Sequence, residues 1–122
     1  MSEERISPIR LTDKKGVLGP AGDVYELDFS RESVVFAEGH GFKPEDVGNF
    51  PATKIADLFY YSFRKNHRKI SREKVDKLRE AWGGVTESTL KRLIDLYAQA
   101  MTANNVQADE DGEKNEAVAV EL

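Results

Sequence analysis

The sequence predicts a small, mainly helical α+β domain in which a short N-terminal β-hairpin precedes about four helices. Three observations carry that prediction. Residues 24–29 alternate, with Tyr25, Leu27 and Phe29 on one side and Val24, Glu26 and Asp28 on the other, the period-two pattern of a half-buried strand. Downstream, apolar residues recur at three- and four-residue spacing in four separate segments. Each of those segments opens on a residue suited to a helix start, namely Ser30, Pro51, Ser71 or Thr86.

The hairpin is completed upstream. Ile9 and Leu11 can face the same core as the alternating strand, and Gly16, Gly19, Pro20 and Gly22 supply turn chemistry between the two. Pro8 cannot donate to a ladder and marks the first strand as an edge strand. The first helix begins at Ser30, carries Val34, Val35 and Ala37 or Glu38, and stops at Gly39-His40-Gly41. Pro44 and Pro51 bracket a loop with room for one helical turn at residues 45–47. Pro51 suits the first position of the second long helix, where its missing N–H would be unpaired anyway.

That second helix has the widest apolar stripe, Ile55, Leu58, Phe59 and Phe63, broadened by Tyr60 and Tyr61. The third runs from Ser71 with Val75, Leu78 and Trp82 inward, Ile70 stapling onto Val75, and Gly83-Gly84 as its end. The fourth runs from Thr86, with Val85 stapling onto Leu90 and a stripe of Leu90, Leu93, Ile94, Tyr97 and Met101. Two successive helices with the same device predict an antiparallel or angled helix pair.

The 122 residues suit one domain. Residues 1–102 carry 17 bases against 16 acids, whereas 103–122 hold Asp109, Glu110, Asp111, Glu113, Glu116 and Glu121 against Lys114 alone. The net charge of −4 therefore belongs to the last stretch. With no aromatics and high charge, it is expected to be a disordered acidic tail beside a folded body at 1–102. The absence of cysteine excludes disulfides, thiol nucleophiles and thiolate metal sites. The N-terminus has no apolar run like a signal peptide and no segment reaches transmembrane length. A soluble protein acting in the cytoplasm is the expectation.

Nothing in the residues points to catalysis. His40 and His67 lie far apart and neither has a ligand at helical spacing, so neither a metal nor another cofactor is expected. The glycines at 16, 19 and 22 resemble a phosphate-cradling loop, but such loops lie between a strand and a following helix. Here a strand follows, which favours a hairpin tip. Ser30, Ser71 and Thr86 are explained as helix caps.

Two binding features remain. The first is the surplus of large aromatics at Phe59, Tyr60, Tyr61 and Phe63, more than one stripe needs, which makes an apolar partner surface a candidate. The second is the stretch 64–79. Its eight bases, among them Arg64, Lys65, Arg68, Lys69 and Arg72, face only Glu73 and Asp76, a net of +6 that could meet phosphates or an acidic partner. Residues 84–93 look like the turn and recognition helix of helix-turn-helix proteins. The small and apolar positions of that motif fall on Glu80 and Gly83, or on Arg79, Gly84, Thr89 and Arg92, which breaks the pattern.

Between about Val24 and Met101 the chain resembles the tail assembly chaperones, of the G and GT type, found in long-tailed bacteriophages and prophages. The resemblance runs through Tyr25-Glu26-Leu27-Asp28-Phe29 leading into a short helix, then a proline-punctuated loop and the aromatic helix from Ile55 to His67. It continues through a charged helix ending in glycine and Leu90-Lys91-Arg92-Leu93-Ile94-Asp95-Leu96-Tyr97-Ala98-Gln99-Ala100-Met101. It implies a protein that binds the tape-measure protein, keeps it soluble and recruits tail-tube protein. Such a protein works in the host cytoplasm and stays out of the mature virion. It also implies a longer form made by translational frameshifting, for which codons of Glu113-Lys114-Asn115 can spell the slippery A-AAA-AAC. Self-association is a further expectation, and nucleic acid and membrane are not expected as partners. The alternative is a small helix-turn-helix-like DNA-binding regulator.

Overall fold

In a computed structural model, the structure describes residues 6–105, with side chains described as far as 102. The expected disorder of the acidic tail and the candidate frameshift site therefore lie outside the described residues, apart from residues 103–105.

The fold is the predicted one, a two-stranded antiparallel hairpin followed by helices, four of them longer than a single turn. Strand β1 (Ile9–Asp13) pairs with β2 (Asp23–Leu27) in the register Ile9↔Leu27, Leu11↔Tyr25 and Asp13↔Asp23. Ile9, Leu11 and Leu27 are buried, and Phe29 follows them inward just past the strand. The strand is shorter than residues 24–29 because the chain turns at Asp28, whose backbone N–H donates to Ser62 O at 3.0 Å.

Helix α1 (Arg31–Gly39) starts in a reciprocal capping box: Ser33 N–H donates to Ser30 Oγ, and Ser30 N–H donates to Ser33 Oγ. Val34 and Ala37 are buried, while Val35 lies on the solvent side. Gly41, at φ 85°, ends the helix: its N–H reaches Glu38 O and Phe42 N–H reaches Ala37 O. That reversal seats Phe42 in the core, which the periodicity gave no reason to expect. The single turn expected at 45–47 is α2 (Asp46–Asn49).

Helix α3 (Pro51–Tyr61) has Pro51 in its first turn and buries Ala56, Leu58, Phe59 and Tyr61. It is the centre of the body, with α1, α2, α4 (Arg72–Ala81) and α5 (Glu87–Asn105) all packed against it. This corrects the expected helix pair. The extended contacts of α4 are with α3, and those of α5 are with α1 first and then α3. A shared staple-and-cap device signals where helices begin, not which neighbour they choose. Ser71 caps α4 through Lys74 N–H, and Thr86 caps α5 through Thr89 N–H. Helix α5 runs three residues past the boundary placed at 102. No helix among the described residues is long and apolar enough to cross a membrane.

Candidate functional site

The aromatic partner surface expected on α3 is not a surface. Phe59, Tyr61 and Phe63 are buried at 1%, 7% and 0% exposure, and Tyr60 alone is partly exposed. Their excess over one stripe is used because α3 is packed from several sides. Tyr25 and Trp82 approach Phe63 and Phe59, while Phe36 and Phe42 meet Tyr61 edge-on. Such T-shaped packing of rings is a core arrangement.

Three of the eight bases in the stretch, Lys65, Arg68 and Arg72, are engaged by acids distant in sequence. Lys65 Nζ lies 2.7 Å from the buried Asp28 carboxylate, and Arg68 reaches Glu32 at 2.8 Å. Arg72 bridges Asp57 and Asp76, each at 3.0 Å, and Arg79 also reaches Asp76. The Arg64 guanidinium stacks 3.8 Å over the Phe36 ring. Lys69 and Lys74 are exposed and, among the described residues, make no ion pair. The +6 of the linear stretch is thus halved by Asp28, Glu32 and Asp57 from other elements.

His67 has a structural role that its cationic neighbours concealed. Its Nε2 accepts the Glu26 N–H at 3.1 Å, so that nitrogen is unprotonated and the ring proton sits on Nδ1. Asn66 Nδ2 donates to Glu26 O, and Tyr25 meets the imidazole edge-on. Burial holds the imidazole pKa below its ordinary value, against a smaller opposing pull from Glu26. Together Asn66 and His67 close the free edge of β2.

The glycine-rich segment is the hairpin tip, and its amides turn on the chain's own carboxylate. Asp13, 1% exposed, accepts Val17 N–H at 2.7 Å and Leu18 N–H at 2.8 Å. Burial pushes this carboxyl up, but the amides of Leu18, Val17, Gly19 and Gly16 more than offset that and hold it below the usual carboxylate range. The loop's amide donors, the groups a phosphate would need, are therefore spent internally on Asp13.

What the structure leaves open is the region of Trp82. The sequence places this residue inward with Val75 and Leu78, and those two are fully buried, but Trp82 is 43% exposed. The reason is local. Trp82 is the C-cap of α4, where Gly83 at φ 79° reverses the chain, with Gly84 N–H bonded to Arg79 O, so the residue leaves the helical stripe. One cleft of about 490 Å³ lies between Trp82 and β1, lined by Arg10, Leu11, Thr12 and Val17 as well as Lys14 and Lys15. A second, of about 230 Å³, has Phe59 as its floor and Val85, Thr86 and Thr89 around it. Among the described residues no cluster of three or more His, Asp or Glu is placed to hold a metal ion. Polarity in sequence could not have marked Trp82; the Gly83-Gly84 pair directly after it could.

Compared with known proteins, the chain matches over residues 1–122 the model of a family described as a domain of unknown function, DUF5055. No curated protein and no solved structure matches it.

Proposed function

The chain belongs to the DUF5055 family, and from its own residues we propose that it is a phage or prophage tail assembly chaperone that binds the tape-measure protein and assists tail-tube assembly in the host cytoplasm. The observation that carries this reading is the half-exposed Trp82 standing between two clefts. Buried aromatic anchors dominate binding energy at protein interfaces, and an exposed indole beside a ready cleft is suited to become one. The sequence resemblance from Val24 to Met101 supplies the identity of the partner. Moving the binding face from the α3 aromatics to Trp82, Val85 and Thr89 keeps the apolar mode of recognition while respecting the burial of Phe59 and Phe63. The DNA-binding alternative gains no support from the paired bases of 64–79, or from α4 packing on α3 while α5 packs on α1 and α3.

The test is co-expression of the chain with any tape-measure protein that its own genome encodes, followed by capture through a tag. The expected complex survives high salt, as an apolar contact should, and is lost in Trp82→Ala. No complex at any salt overturns the proposal, and a complex lost at moderate salt moves the interface to the bases.

A further inference from the structure

The larger cleft has a geometry that a cleft on a sheet face would lack. It is lined by Arg10, Leu11, Thr12 and Asp13 in unbroken succession and by no residue of β2. Successive residues of a strand point to opposite faces, so a cleft over one face meets every second residue. Unbroken succession means that the cleft runs along the strand's edge.

The backbone bonding agrees. Glu26 turns its N–H to His67 and its C=O to Asn66, away from β1. Arg10 opposite it is then in a non-hydrogen-bonded pair, because in an antiparallel ladder both members of such a pair face outward. Arg10 and, two residues on, Thr12 therefore turn their N–H groups to the far side of β1, into the cleft. Thr12 O is taken by Lys14 N–H. Among the described residues nothing accepts from Arg10 N–H or Thr12 N–H. The sheet thus has one edge closed by Asn66 and His67 and one edge open, with an indole wall and Arg10, Lys14 and Lys15 around it. An open edge is a template for an added strand.

We propose that the open edge of β1 is covered by the chain's own residues 116–122, added as a third strand within the same molecule. Three features select this occupant. First, composition within 106–122 is uneven: Val118, Val120 and Leu122 alternate with Ala119 and Glu121, the pattern of a strand with one apolar face. That face suits Leu11, Val17 and the side of Trp82 that lines this cleft, leaving the cleft of Phe59 and Val85 beside Trp82 to a partner. Glu121 on the other face adds a second acid to the exposed Arg10, which lies 3.7 Å from Glu26. Second, charge is complementary, since 106–122 carry six acids and one base while Lys14 and Lys15 are exposed. Third, the reach is sufficient. Ile6 N–H donates to Gln99, and Arg92 bonds Ser7 O and Pro8 O, so the approach to β1 runs beside α5. Returning from Asn105 to the level of Arg92 takes about 20 Å at helical rise, which about six extended residues span. Residues 106–115 are enough to make that return.

The experiment compares the full chain with its Val118→Asp/Val120→Asp variant, reading amide hydrogen exchange residue by residue by NMR. Both substitutions lie outside the body, and the Leu11 amide, paired with Tyr25 in the ladder, serves as the internal control. Arg10 and Thr12 amides should exchange about tenfold or more slowly in the wild type than in the variant, with Leu11 unchanged and Trp82 emission shifted to the red in the variant. Equal, fast exchange at Arg10 and Thr12 in both chains overturns the proposal. So does equal protection in both, which would assign the edge to another element. Protection that grows with protein concentration would place the strand in a second copy and overturn the intramolecular form.

Discussion

Tyr97 lies wholly inside the core, edge-on to Phe29 at 5.0 Å and to Phe42 at 5.4 Å. Its hydroxyl is buried and has no hydrogen-bond partner among the described residues. Burial, with smaller contributions from the charges of Glu38 and Glu45, pushes the phenol pKa up to about 12. An unsatisfied buried hydroxyl costs about 1–3 kcal/mol, so Tyr97→Phe should raise the melting temperature while keeping both ring contacts. A lower melting temperature would mean that the hydroxyl is satisfied by a buried water. His67 gives the second prediction at this scale. Its folded pKa lies below its unfolded one, so the unfolded chain binds more protons in the interval between them. Stability is then full above the ordinary imidazole value of 6.5 and falls as pH drops through it towards the folded pKa. Urea titrations at stepped pH should show that loss in the wild type and a flatter profile in His67→Gln; identical slopes would remove His67 as the cause. Neither role was legible in the sequence. Tyr97 reads as one member of a stripe, and His67 is hidden among bases because its acceptor role depends on Glu26, forty-one residues away.

Helix starts and stops were legible because their signals are local. Ser30, Ser71 and Thr86 each bond an amide three residues on, and Gly41 and Gly83 each take the positive φ that a C-terminal reversal requires. What the pattern could not supply is how many sides of a helix are covered. The α3 aromatics read as surplus only if the helix buries a single stripe. Packed by α1, α2, α4 and α5, it buries Leu58, Phe59 and Tyr61 at adjacent helical positions. Phe59→Ala should therefore cost about 3–5 kcal/mol, the range for truncating a fully buried ring, as measured by chemical denaturation. A change within experimental error would show that α3 can lose contact with Phe63 and Trp82 without consequence. It would also return the aromatic cluster to candidacy as a partner surface. The same reasoning explains Trp82: its spacing from Leu78 suits the stripe, but the stripe ends one residue before it.

At the scale of the whole molecule, the sequence and the fold differ most over charge. A net of +6 across 64–79 reads as an electrostatic footprint, and a sequence window cannot show what lies opposite it. Folding brings Asp28 from the β2–α1 junction, Glu32 from α1 and Asp57 from α3 onto Lys65, Arg68 and Arg72. Polyanion affinity depends on how many cations are free to displace condensed counterions. Among the described residues the members without an ion pair are Lys69, Lys74 and Arg64, and Arg64 is stacked on the Phe36 ring; these are too few for strong retention, while the chain as a whole carries −4. The chain should therefore pass through a heparin column at low salt, or elute on the first small increment. Charge reversal at Lys69 and Lys74 should abolish whatever weak retention exists. Opening the pairs is the informative control. Asp28→Asn and Glu32→Gln together release Lys65 and Arg68, and retention should increase in that variant if pairing is what silences the stretch. Firm retention of the wild type, collapsing over a modest rise in salt, would restore the DNA-binding reading. It would also mean that exposed pairs such as Arg68–Glu32, worth little in water, yield readily to phosphate.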